Sequence, residues 1–204
     1  VIRINKLYLH DFLFYIGFMA LLINKFGKII SMTEESLFSS NAIYFFGIAL
    51  LILSTLFSKF TIWDILLTVY GFFSFVTGFD TALLSFLVLL MAVRNMDIER
   101  VTAFYAYFQA AILGVCTGLY FVLLAAGSSY ASLSVISGRV RYNFFFSHPN
   151  TFAVQVVFTV LAYLYIKRKV FPYWMTNVIL AVTAVFLYLF PNSLTAVVTV
   201  LVYM

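Results

Sequence analysis

Between Arg100 and Arg139, between Arg141 and Lys167, and from Val170 to Met204, the chain carries no Asp, Glu, Lys or Arg. Runs this long and this apolar leave the backbone N–H and C=O groups few partners except one another. In lipid, only helices and closed barrels satisfy those groups internally. The runs lack the strict alternation of barrel strands, so helices are predicted. Composition points the same way. Of 204 residues 65% are hydrophobic and 9% charged, whereas a soluble domain carries about a quarter charged residues. Too little polar surface remains to cover a water-facing globule. The expected fold class is all-α, a polytopic transmembrane helical bundle of about seven or eight spans in one domain, 1–204.

The apolar segments fall at about 12–30, 41–58, 62–76, 80–93, 101–126, 149–166, 175–190 and 193–204. Segments 62–76 and 80–93 are short for a bilayer core, and they read equally as spans or as a re-entrant pair. A polar stretch at 31–41 holds Glu34 and Glu35, and another holds Arg94, Asn95, Asp97, Glu99 and Arg100. The longest polar-enriched loop, 127–148, is rich in serine and carries Arg139 and Arg141. Pro149 suits the first turn of a helix, where its missing N–H costs nothing. The chain opens at Val1 and stops inside an apolar run, from which a piece of a longer reading frame is expected.

Lysine and arginine resist translocation, so their distribution reports orientation. With the N-terminus in the cytoplasm, the inner side holds Arg3, Lys6, Lys59, Arg94, Arg100, Lys167, Arg168 and Lys169. The outer side then holds Lys25, Lys28, Arg139 and Arg141, of which the two lysines can snorkel from a helix end. The N-terminus is therefore expected inside, in a multi-pass protein. The same scatter of cations along span ends excludes a nucleic-acid partner, despite the formal charge of +5.

Few groups can carry chemistry. Cys116 stands alone in an apolar run and reads as a small buried hydrophobe. No Gly-rich phosphate loop, nucleophile elbow or His/Cys/Asp/Glu cluster is present, so neither metal nor cofactor is expected. Asp64 and Asp80 read as solvated helix-end carboxylates. Gln109, in mid-span, suits an interhelical hydrogen bond, and Gly114 and Gly118 suit close helix approach within the chain. Arg139 and Arg141 break the charge bias. Two apart, they share one face if the loop is extended. Their planar forks match phosphate or carboxylate, whether of a substrate or of the lipid headgroups. His148 reads either as a turn residue set by Pro149 or as a base or donor toward substrate, with Asn150 beside it.

The stretch Arg141-Tyr142-Asn143-Phe144-Phe145-Phe146-Ser147-His148-Pro149-Asn150-Thr151 resembles the Arg…Phe-Gly-Phe-x-His-Pro-Asn-Thr stretch of bacterial capsular and exopolysaccharide polymerases. That is the Wzy-like group related to O-antigen ligases. Pro191-Asn192-Ser193-Leu194-Thr195 is similar to a later Asn-Ser-Arg-Thr-like stretch of the family, with Leu194 in place of arginine. Phe145 also stands where glycine is commoner. The resemblance implies a glycosyltransferase of the bacterial cytoplasmic membrane, polymerising lipid-linked oligosaccharide repeat units on its outer face. It implies an undecaprenyl pyrophosphate-linked substrate, a setting in membrane lipid and other polysaccharide-export proteins as partners.

On this reading Arg139, Arg141, His148 and Asn150 are substrate-binding residues, and the catalytic residue is not assigned. Family members are about twice as long, so the chain is expected to be an N-terminal portion that is inactive alone. The competing expectations are an O-antigen-type ligase, a transporter or flippase of a lipid-linked solute, and a non-catalytic membrane scaffold. A transporter would place polar groups near mid-membrane, where Gln109 is the main polar side chain read from the sequence.

Overall fold

The computed structural model describes residues 6–29, 41–57, 61–78, 81–94, 96–128, 131, 133–136 and 139–204. Arg3, Glu34, Glu35, Lys59, Asp80, Asn95, Ser132, Ser137 and Gly138 lie outside them, as do the side chains of Lys6, Lys28, Ser134 and Arg139. Eight helices are present among the described residues: α1 Lys6–Ile29, α2 Asn41–Leu56, α3 Ile62–Gly78, α4 Thr81–Val93, α5 Ile98–Ala125, α6 Pro149–Lys167, α7 Tyr173–Leu189 and α8 Leu194–Val202. Three stretches, Leu9–Gly27, Ile98–Ala125 and Pro149–Lys167, are long and apolar enough to cross a membrane. They mark the chain as a membrane protein. The 17 residues of α3 and the 13 of α4 extend about 25 and 20 Å, short of a core about 30 Å thick.

Segment 127–148 is not all loop. Within it, β1 Leu133–Ile136 pairs antiparallel with β2 Arg139–Tyr142, in the register Leu133 to Tyr142 and Ser134 to Arg141. Four-residue strands leave too short a pattern for period-two alternation to stand out from a serine-rich loop.

Contacts divide the chain into two compact units, α1–α4 and the segment from Glu99 onward. In the first unit α1 and α2 run antiparallel, whereas α2 and α4 meet at their starts, where the Ser85 hydroxyl donates to the Tyr44 hydroxyl at 3.1 Å. The Ser54 hydroxyl near the end of α2 donates to the His10 carbonyl near the start of α1, 3.1 Å away. These two helices meet where Gly17 faces Gly47. A Cβ built on Gly17 would lie 3.0 Å from the Gly47 carbonyl oxygen, and the reverse substitution meets the Gly17 carbonyl at the same distance.

Close approach was expected at Gly114 and Gly118 instead. A Cβ at either of these would meet nothing within 4 Å, so that spacing supports no packing among the described residues. The difference gives a paired expectation. Gly17→Ala should destabilise the first unit by about 1–3 kcal/mol, because backbone cannot yield as a flexible side chain does. Gly114→Ala should be neutral or stabilising by up to about 1 kcal/mol, since alanine is the better helix former. Thermal unfolding of both variants in one detergent checks the sign of each.

Asp64 departs from the solvated carboxylate expected at the start of α3. It is 1% exposed. Its Oδ2 accepts from the Thr61 backbone N–H (2.7 Å) and hydroxyl (2.9 Å), the side-chain-to-backbone half of a capping box. Arg94, just past α4, donates Nη1 to Oδ1 at 2.9 Å and Nη2 to Oδ2 at 3.1 Å. A bidentate guanidinium thus ties the start of α3 to the end of α4, and the shared ends make the pair an antiparallel helical hairpin. Asp64→Ala removes the fork and the cap together. It should cost about 2 kcal/mol, the low end for charged hydrogen bonds because Arg94 keeps its access to solvent. An unchanged unfolding midpoint would show that the fork contributes nothing.

In the second unit α6, α7 and α8 share a core of Ala153, Val157, Leu164, Leu180, Ala184, Leu187, Ala196 and Val200. The start of α5 and the end of α6 are matched by Arg168, which donates to Glu99. That contact sets one end of this helix pair. The hairpin and His148 lie at the other.

Candidate functional site

The site is built on the chain between α5 and α6. Tyr142, the last residue of β2, donates its N–H to the Phe190 carbonyl at the end of α7, 3.1 Å away. This bond fixes the hairpin to the helical body. The chain then turns at Asn143, whose Oδ1 accepts from the Phe145 N–H at 3.4 Å while its carbonyl accepts from the Phe146 N–H at 2.9 Å. Asparagine side chains favour such turns by accepting from the backbone two residues on.

Phe144 and Phe145 both adopt the left-handed region, with φ of 52° and 68°. For L-residues with a Cβ that region costs about 1–2 kcal/mol each. Burial holds them there. Phe144 is fully buried and stacks on Phe152 of α6 with ring centroids 4.3 Å apart. It also meets Tyr120 at 5.0 Å and Phe121 at 5.6 Å, both on α5. Phe145 meets Tyr120 edge-on at 5.3 Å. An aromatic knot therefore fastens the motif to α5, α6 and the end of α7, where Phe186 and Phe190 join it.

His148 ends the turn as the N-cap of α6, with Pro149 at the first helical position. Its Nδ1 accepts from the Asn150 N–H at 3.1 Å. A neutral imidazole that accepts at Nδ1 carries its proton on Nε2. In that tautomer Nδ1 is taken up by the cap and Nε2 is the N–H donor. Asn150 is exposed, and its backbone rather than its side chain makes the contact with His148.

Both arginines lie on β2, Arg139 opposite Ile136 and Arg141 opposite Ser134. The Arg141 side chain is half-buried, and its Nε is fully buried without a hydrogen-bond partner. A buried guanidinium N–H without an acceptor is costly. Among the described residues no hydrogen bond or ion pair joins Arg141 to His148. The structure places the four candidate residues in two groups, Arg139 with Arg141 on the strand and His148 with Asn150 at the helix start, joined by the aromatic turn.

Gln109 makes the interhelical bond expected of it, and with more partners than the sequence reading assigned. It is fully buried, donates Nε2 to Gln155 Oε1 at 3.1 Å and accepts from the Thr159 hydroxyl at 2.8 Å. Gln155 and Thr159, four apart on α6, add to the mid-span polar groups where Gln109 was the main one expected. That spacing on one helical face was the available signal. Among the described residues no three His, Cys, Asp or Glu side chains are grouped as for a metal.

Compared with family models, with curated proteins and with solved structures, the chain has no match.

Proposed function

We propose that the chain belongs to a membrane glycosyltransferase that polymerises lipid-linked oligosaccharide repeat units. On this reading it sits in the bacterial cytoplasmic membrane with its N-terminus inside, about seven or eight segments crossing and β2 at the outer face. The observation that supports it most is Arg141: a guanidinium with a buried, unpartnered Nε, on a strand pinned to the helical body just before the His148 cap. Transfer of the growing chain breaks its bond to undecaprenyl pyrophosphate, and a fixed cation stabilises the charge that develops on that leaving group. Arg141 takes this role, with Arg139 two residues before it on β2. His148 donates from Nε2 toward the substrate, and Asn150 lies exposed beside it. The activating base for the acceptor hydroxyl is not among these residues.

The mid-span groups argue against a transporter. Gln109, Gln155 and Thr159 satisfy one another, whereas a solute site needs polar groups turned toward a pathway.

The test is a polysaccharide size ladder from the native host with this gene deleted. Single repeat units in place of long chains are the expected outcome. Long chains that stay lipid-linked would replace the polymerase with a ligase, and an unchanged ladder would remove both.

A further inference from the structure

At the end of the second unit opposite the hairpin, Arg168 and Lys169 reach the Glu99 carboxylate, and Arg100 and Lys167 adjoin them in sequence. Arg100 comes directly after Glu99 at the start of α5, and Lys167, Arg168 and Lys169 close α6. Glu99 takes the Arg168 guanidinium and, at 3.4 Å, the edge of Lys169. Arg168 is further committed: Nη1 donates to the Tyr165 carbonyl at 2.6 Å, and the guanidinium lies 4.0 Å over the Tyr165 ring. Lys167 is half-buried and has no ion pair among the described residues, while the Lys169 side chain is 75% exposed. Positive charge therefore remains in excess after the Glu99 carboxylate is used.

The chain beyond these lysines does not present a surface suited to water. Val170, Tyr173 and Trp174 are 73%, 74% and 67% exposed. Tyrosine and tryptophan with one polar tip and an apolar body collect at the headgroup level of a bilayer. A basic cluster against such a belt has the charge and the depth to hold a lipid phosphate, and each lysine near an anionic surface strengthens the attraction.

We propose that the α6–α7 turn is a binding site for the headgroup of an anionic phospholipid, held by Lys167 and Lys169 with Tyr173 and Trp174 at its rim. Arg168 is the positioning residue that anchors the turn to α5 through Glu99. The site is independent of any glycosyltransferase activity, because it lies at the other end of the α5–α6 pair.

Native mass spectrometry of the purified chain tests it, with phosphatidylglycerol and phosphatidylcholine supplied together at equal concentration. Phosphatidylglycerol adducts should exceed phosphatidylcholine adducts about tenfold, and the preference should fade as salt is raised. In K167Q/K169Q the two lipids should bind nearly equally. In K167R/K169R, which keeps the charge, the preference should survive. Equal binding by the wild-type chain overturns the proposal, as does an undiminished preference in K167Q/K169Q. Loss of preference in K167R/K169R also overturns it, since the shape of the turn rather than its charge would then decide. Far-UV circular dichroism on each variant guards against reading a misfolded chain as a lost site.

Discussion

Phe144→Ala should cost about 3–5 kcal/mol in unfolding free energy, the range for removing a fully buried aromatic ring. Phe144 loses its stack on Phe152 and its contacts with Tyr120 and Phe121 at once. Alanine at φ 52° inherits the backbone strain without the ring that holds it there. Phe145→Gly is the informative companion. It gives up a ring that is 7% exposed but recovers about 1–2 kcal/mol of strain, because glycine adopts positive φ without a Cβ clash. The loss should therefore be about 2–3 kcal/mol, smaller than for Phe144→Ala. Unfolding of both variants by denaturing detergent, followed by tryptophan fluorescence, measures the order. If Phe145→Gly proves the worse, the strain at this turn is not what its φ implies.

That turn also marks where sequence reasoning stops. The apolar segments were legible because a bilayer demands length and hydropathy, both local properties, and α1 to α8 lie on them. His148 before Pro149 was legible as a helix start for the same reason, since capping chemistry spans only a few residues. The positive φ at Phe145 was not legible. Only the burial of three consecutive phenylalanines among residues of α5, α6 and α7 enforces that conformation on a residue with a Cβ.

The same boundary separates Thr61 from Arg94 around Asp64. The cap lies three residues away and could be read locally. The fork lies 30 residues away and could not. The glycines illustrate it from the opposite side. A spacing of four on one helix suggested Gly114 and Gly118, while the contact that forms uses one glycine on each of two helices, Gly17 and Gly47. No periodicity within a segment encodes a pair of that kind.

On the proposed polymerase reading, Arg141→Ala should collapse the polysaccharide ladder of the native host to single repeat units, with the variant still inserted in the membrane. The Arg141 side chain makes no hydrogen bond among the described residues, and its Nε is buried without an acceptor. Removing it relieves an unsatisfied donor, so stability should hold or rise slightly. Activity should move the other way. A cation set against a developing negative charge contributes on the order of a hundredfold or more in rate, enough to leave the chain unextended. Arg141→Lys separates charge from geometry: it keeps the cation but loses the planar fork and the Nε donor. Chains of intermediate length in that variant would mean that both matter. A wild-type ladder in Arg141→Ala would remove Arg141 from the substrate, and would reassign its buried Nε to a group of the protein itself. The opposed signs are what make the substitution decisive, because a residue that merely supported the hairpin would lose stability and activity together.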